Sequence, residues 1–266
     1  MPNLIDLTFK KVKRENRPAL LTYIVAGDNS KKKSLEILKS ISNFADILEL
    51  GVPHNALVAD GNQIQTSAYR AIKNGIKLKD IFQIVKEFKK TKSQKPIILM
   101  GYYNMVFQFG ENDFLKMCKK VRVDGLILVD LPWPENKKFA NKCKKKSIHF
   151  IQLLSPTTTK DRLKKIIRDS HSMNYFISML STTGGILKVS PKKILENYNK
   201  IKRINPNKNL VIGFGITDST ISSFKSASGV VVGSLLCKTI TNSLKMRINP
   251  ATKLLQTVYN LKKKII

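Results

Sequence analysis

The feature that most constrains this chain's fold is a regular alternation. Eight short, nearly continuous apolar runs are separated by longer charged stretches with helical spacing. The runs are Ala19–Ala26, Ala45–Leu50, Pro96–Met100, Gly125–Val129, His149–Leu154, Tyr175–Leu180, Leu210–Gly213 and Gly229–Val232. A strand that is apolar at consecutive positions has both faces covered, as in a parallel sheet wrapped by helices. Between the runs, stretches such as Ser34–Asn43, Gln63–Asn74, Leu78–Lys90, Glu135–Lys145, Lys160–Arg168 and Pro191–Tyr198 read as helices. Eight strands in βα order, joined by right-handed crossovers, close into a (β/α)8 TIM barrel of the α/β class. Such a barrel needs roughly 250 residues. The chain has 266, with no linker or low-complexity break, so one domain over residues 1–266 is expected.

Composition narrows the function classes. No run of about 18 apolar residues occurs, which argues against a transmembrane helix. The segment Met1–Lys13 lacks the apolar core and small-residue cleavage site of a secretory signal. A cytosolic protein is expected, or one of an organelle that makes its own proteins. Cys118, Cys143 and Cys237 are odd in number and widely spaced, so neither a disulfide framework nor a zinc site is expected. The formal net charge of +30 raises the question of nucleic acid, but lysine supplies forty and arginine only eight of the 48 basic residues. The runs Lys31–Lys33, Lys144–Lys146 and Lys262–Lys264 fall in expected helices, helix ends or the tail, as solvated faces do. Arginine clusters interleaved with aromatics are absent, so nucleic-acid binding is not expected. Abundant Lys, Asn and Ile instead fit drift toward AT-rich codons, as in an endosymbiont or a plastid.

In a barrel of this kind chemistry sits just beyond the strand ends. Glu49 interrupts the second apolar run near its C-terminal end. Burial there disfavours the charged form and raises the pKa toward the range a proton shuttle needs. A structural carboxylate tied to backbone donors is the alternative. Asp60 precedes Gly61 and a helix, where a capping or turn role is the bland reading. Two carboxylates beside one strand also suit acid–base work, one protonated and the other ionised. Across the barrel, Gly213-Phe214-Gly215 ends the seventh run, Gly233-Ser234 ends the eighth and opens a helix, and Thr182-Thr183-Gly184-Gly185 follows the sixth. Glycine lets backbone N–H groups approach an anion and a helix start adds a favourable dipole, so a phosphorylated substrate is expected.

These residues also carry a family resemblance. Glu49-Leu50-Gly51-Val52-Pro53, then Ala59-Asp60-Gly61 and Gln65, resemble the signature of the tryptophan synthase alpha chain family. So do Ala26-Gly27-Asp28, Tyr102-Tyr103-Asn104, Asp124-Gly125 through Asp130-Leu131-Pro132, Ser155-Pro156-Thr157, Gly213-Phe214-Gly215-Ile216 and Val232-Gly233-Ser234. The resemblance implies retro-aldol cleavage of indole-3-glycerol phosphate to indole and glyceraldehyde 3-phosphate, without metal or cofactor. It implies Glu49 as acid–base and Asp60 as acceptor of the indole N–H. Tyr175 would position Glu49 and substrate, and Tyr23, Met100, Ile127 and Leu153 would wall the indole. Tyr102 and Thr183 join the substrate-binding set, and Gly184, Gly213, Gly233 and Ser234 would hold the phosphate. It also implies a beta-chain partner in an α2β2 heterotetramer, met through 53–58, 104–109 and 130–134, with Leu57, Val58, Phe107 and Trp133 as apolar anchors.

Two loops depart from the family pattern. His54-Asn55-Ala56-Leu57 stands where the family has Phe-Ser-Asp-Pro, and His54 reads as an aromatic contact rather than an extra base. Met179-Leu180-Ser181-Thr182-Thr183-Gly184 lacks the family's Arg and first Gly. A second reading is therefore an impaired alpha chain that mainly activates its partner. A Schiff-base aldolase would need a lysine on a core strand, and none of the runs carries one at such a position. His149 and His171 show no metal-ligand spacing.

Overall fold

The computed structural model describes residues 3–56, 60–93, 95–171, 173–178 and 189–266. Its strands are β1 (Ala19–Val25), β2 (Ile47–Gly51), β3 (Ile97–Gly101), β4 (Gly125–Leu128), β5 (His149–Phe150), β6 (Gln152–Leu154), β7 (Asn174–Ile177), β8 (Leu210–Gly213) and β9 (Gly229–Val232). All adjacent pairs are parallel, in the order β5-β4-β3-β2-β1-β9-β8-β7-β6. β5 and β6 are one run interrupted at Ile151, whose N–H donates to Leu126 O at 2.9 Å. That shared run joins the two ends of the sheet and makes an eight-stranded barrel. The expected His149–Leu154 strand is thus present but broken once. Of the sixth expected run, Tyr175–Ile177 lies in β7, and Met179 and Leu180 lie outside the described residues.

The six expected helices are present as α2 (Lys31–Ile41), α3 (Asn62–Lys73), α4 (Leu78–Lys89), α7 (Lys137–Lys145), α8 (Lys160–Asp169) and α9 (Pro191–Lys202). Five more join them: α1 (Leu4–Arg14), α5 (Tyr103–Phe109), α6 (Glu111–Val121), α10 (Ser234–Lys245) and α11 (Pro250–Lys263). Their starts are built from local chemistry. The Asn3, Ser30, Ser190 and Asn249 side chains each accept a first-turn N–H, and Pro191 and Pro250 supply a ready helical φ.

Strand periodicity sorts the core into two layers. Leu20, Ile24, Leu48, Leu50, Leu99, Leu126, Phe176, Ile212 and Val230 pack outward against the helices. The intervening residues Leu21, Tyr23, Ile47, Ile98, Met100, Ile127, Ile151, Tyr175, Val211 and Val231 form the barrel interior. Helix α1 lays Ile5, Phe9 and Val12 against this interior from the strand N-terminal side. That leaves the C-terminal ends of the strands as the mouth.

The base is fastened by buried charge. Asp46, just before β2, accepts two bonds from Arg17 at 2.7 and 3.0 Å, one from Lys262 at 2.6 Å and one from Leu20 N–H at 2.8 Å. Burial opposes ionisation of Asp46, but Arg17, Lys262 and the backbone donor outweigh it and hold its pKa below the usual range. Asp124, before β4, similarly receives Lys89 at 2.6 Å and Ile97 N–H at 2.8 Å.

Candidate active site

Glu49 occupies an inward position of β2, level with Tyr23 of β1 and Ile98 of β3. It is fully buried, and neither carboxylate oxygen has a hydrogen-bond partner among the described residues. Burial alone pushes its pKa up to about 8. The expected desolvated carboxylate is therefore present, and the alternative of a carboxylate tied to backbone donors is not.

Asp60 lies at the start of α3, but its side chain does not cap that helix. Gly61 is the N-cap and contributes no side-chain bond. The Asp60 backbone is held by Gln65 Nε2, which donates to its carbonyl at 2.7 Å. Burial raises the carboxyl to about 6 against the opposing hydrogen bond from Tyr102, whose hydroxyl donates to Oδ2 at 3.4 Å. His54 stacks on Tyr102 with ring centroids 5.0 Å apart, and its Nδ1 accepts from Ala56 N–H at 3.1 Å. The helix carrying this loop is pinned to the barrel by a bidentate pair, Arg70 Nε and Nη2 to buried Asp28 at 2.7 and 2.9 Å.

Tyr23 and Tyr175 complete the inner ring. Burial first, then the negative charge of Asp60 and Glu49, pushes both phenols well above their ordinary range. Two glycines make room for these rings. A Cβ at Gly51 would sit 2.2 Å from the Tyr23 hydroxyl, and one at Gly213 would sit 2.2 Å from the Tyr175 hydroxyl. Gly213 thus has a packing role of its own.

A cavity of about 500 Å³ opens above this ring. It is lined by Tyr23, Asp60, Met100, Tyr175, Gly233 and Ser234 from the expected set. Gln63, Phe214–Ser219, Leu235 and Lys238 line it too, and sequence reasoning did not single most of these out. Ser234 begins α10, whose first N–H groups have no partner inside the helix. Phe214 and Gly215 both have left-handed backbones, at φ 71° and 70°. Such strain at a bulky residue persists only where the surroundings impose it. Here the Ser178 hydroxyl donates to Phe214 O at 2.7 Å and Gly213 O at 2.9 Å, and the Phe214 ring meets Tyr175 edge-on at 6.3 Å.

Not every expected wall residue lines the cavity. Ile127 is wholly buried below it, and Leu153 packs on the interior without lining it. Glu49 lies beneath the lining, and among the described residues no hydrogen bond links it to Tyr175. Thr183 and Gly184 lie outside the described residues, as do Leu57 and Val58. Phe107 is 64% exposed. Trp133, expected as a free anchor, is instead half-buried. Its Nε1 donates to Asp169 at 2.9 Å, and Lys137 and Arg162 lie over its ring.

The comparisons agree with this geometry. The family model described as tryptophan synthase alpha chain matches residues 9–266. The chain belongs to the tryptophan synthase alpha chain family. It is 70% identical over 263 residues to the tryptophan synthase alpha chain of Pelagibacter ubique, covering 99% of each chain. It is 40% identical over 225 residues to that of Pyrococcus furiosus, covering 84% of this chain and 90% of the relative. The solved alpha subunit from Legionella pneumophila superposes with a TM-score of 0.92 at 29% identity, over 100% of this chain and 99% of that one. A Pyrococcus furiosus chain from a study of mutual activation of the tryptophan synthase α2β2 complex gives 0.83 at 36% identity, over 92% of this chain and 98% of that one.

Proposed function

We propose that this chain is the lyase subunit of a tryptophan synthase. It cleaves indole-3-glycerol phosphate to indole and glyceraldehyde 3-phosphate, acting from the cytosol as one barrel over residues 1–266. The observation that carries the reading is a pair of raised carboxyls, Asp60 on the cavity wall and Glu49 beneath it. Glu49 is buried, has no hydrogen-bond partner among the described residues and is raised to about 8, while Asp60 is raised to about 6. At neutral pH the first is an acid and the second an anion, the division of labour that acid–base catalysis requires.

Glu49 gives its proton to the indole ring carbon that bears the glycerol chain. Asp60 accepts the indole N–H and stabilises the positive charge left on the ring nitrogen. The hydroxyl on the adjacent side-chain carbon then loses its proton to the Glu49 carboxylate. The carbon–carbon bond breaks, an aldehyde forms, and the electron pair returns to the ring as neutral indole. Glu49 ends as it began, protonated. Tyr23, Met100 and Tyr175 flank the indole, Tyr102 steadies Asp60, and Gly233 and Ser234 take the phosphate with the loop after β8. The chemistry asks for no metal and no cofactor.

The pH profile follows from these protonation states. Turnover needs ionised Asp60 and protonated Glu49, so kcat/KM should rise through about pH 6 and fall through about pH 8. In Asp60→Asn whatever rate is left should lack the acid limb, apart from a shift caused by the substrate phosphate's own ionisation. A profile that climbs steadily to pH 9 would contradict the assignment of Glu49 as the acid.

We also assign a beta chain as the partner, in an α2β2 complex such as the one named for Pyrococcus furiosus. Support comes from the mouth itself, where exposed Phe107 follows β3 on α5. Apolar surface of this kind at a loop rim suits an interface. Purified chain and substrate, titrated with the beta chain of the same organism, test both proposals through indole release. The expected result is a slow basal rate that climbs with complex formation by about five- to a hundredfold. No indole release under any condition would favour an impaired activator. Release unaffected by the beta chain would remove the coupling.

A further inference from the structure

We propose that Lys238 is a substrate-binding residue that holds the phosphate by its charge, completing an anion subsite that backbone N–H groups begin. The inference rests on the reading of the cavity as a phosphate-ester site. Lys238 lines that cavity together with Gly233, Ser234 and Leu235. It is four residues beyond Ser234 in α10, so both lie on the same helix face. Helical side chains lean toward the N-terminus, so a long side chain at position 238 can reach back over the first turn. There it adds a full positive charge to the unpaired N–H groups and the partial charge of the helix end.

The charge distribution of the lining supports this. Two carboxylates, Asp60 and Asp218, share the cavity with this one lysine among the described residues. Asp218 is already engaged by Lys264, which meets its carboxylate at 2.5 Å and its carbonyl at 3.0 Å. Asp60 is hydrogen-bonded by Tyr102. Lys238 is exposed and makes no ion pair among the described residues. A cation without an ion pair among the described residues, on the wall of a cavity that a helix N-terminus also lines, has a dianionic phosphate as its chemically matched occupant. A neutral ligand gains nothing from it.

The test compares the intact wild-type chain with Lys238→Ala and Lys238→Arg. Calorimetry with glycerol 3-phosphate and with inorganic phosphate reads the anion, and a neutral indole alcohol reads the apolar part of the cavity. Steady-state kinetics read substrate. Lys238→Ala should bind glycerol 3-phosphate about five- to twentyfold more weakly. KM should rise by a similar factor, with the change in KM rather than kcat. Lys238→Arg should keep most of the affinity, and the neutral alcohol should bind all three chains alike. The gap between wild type and Lys238→Ala should shrink as salt is raised, since an exposed charge is screened. If the wild type binds glycerol 3-phosphate and Lys238→Ala binds it equally well, the lysine has no such role while the phosphate site stands. An affinity loss that extends to the neutral alcohol would mark a structural role and overturn the proposal. If the wild type binds neither anion, the phosphate reading fails and the proposal fails with it.

Discussion

Replacing Glu49 with Gln should reduce indole release at least about a hundredfold, the usual loss when a positioned acid–base group is removed. The amide fills the same space on β2 but cannot give or take the proton. The same substitution should change how stability depends on pH. In the folded chain the Glu49 carboxyl titrates at about 8, well above its ordinary value, because burial disfavours its charge, and neither oxygen has a partner among the described residues. A group with a raised folded pKa contributes its full stability below the unfolded pKa. That contribution is lost as pH rises through the folded value. The wild type should therefore lose stability across about pH 4.5 to 8, on the order of 5 kcal/mol in total. Glu49→Gln, having nothing to titrate there, should lack that slope. Denaturant unfolding of both chains at pH 5, 7 and 9 reads the difference. Parallel curves would show that Glu49 is solvated or paired in solution. Retained turnover would remove it from the mechanism. Both effects have one cause: the burial that makes Glu49 an acid at neutral pH also makes its anion costly to house.

What could be read from the sequence divides along physical lines. The eight apolar runs were visible because strands buried on both faces must be apolar at every position, so seven of them end close to where the strands do. The break at Ile151 was not visible, since Ile151 is as apolar as its neighbours and only the hydrogen-bond geometry of closure interrupts the run. Glu49 stood out as a charge near the C-terminal end of such a run, which is why its burial could be anticipated. Asp60 was ambiguous between cap and catalyst. Its freedom from capping depends on Gly61 taking the N-cap, a choice of one residue that local pattern does not decide. The stack of His54 on Tyr102 brings together side chains from two loops, and only the fold sets their spacing. Trp133 reads as an exposed anchor by residue type, yet Asp169, Lys137 and Arg162 from neighbouring elements claim it. The packing role of Gly213 was hidden as well, because the ring that needs its missing Cβ belongs to Tyr175 on the neighbouring strand.

Asp46→Asn should be the most damaging single change at the base of the barrel, costing about 3–5 kcal/mol at neutral pH. Asp46 joins three distant parts of the chain: Arg17 ahead of β1, the start of β2, and Lys262 near the end of α11. The Arg17, Asp46 and Lys262 side chains are 9%, 7% and 11% exposed, so neither cation can be rehydrated in place once its anion is gone. Desolvation already lowers the Lys262 pKa, with Asp46 opposing that shift. Without Asp46 the lysine should lose its proton more readily, which gives the defect a pH signature. At alkaline pH Lys262 can become neutral and part of the penalty disappears. In acid the wild type loses the same interaction, because Asp46, whose folded pKa is lowered, gives up its contribution as pH falls through that value. The stability gap between the two chains should therefore be widest near neutrality and narrow below about pH 4 and toward pH 10. A second substitution separates charge burial from lost bonding. If the cost is the stranded cation, Asp46→Asn combined with Lys262→Met should be less unstable than Asp46→Asn alone, because the apolar chain removes a buried charge while keeping the packing. A double variant that loses the sum of the two single losses would show that Asp46 stabilises the base through its bonds to Arg17 and Leu20 instead, with Lys262 incidental.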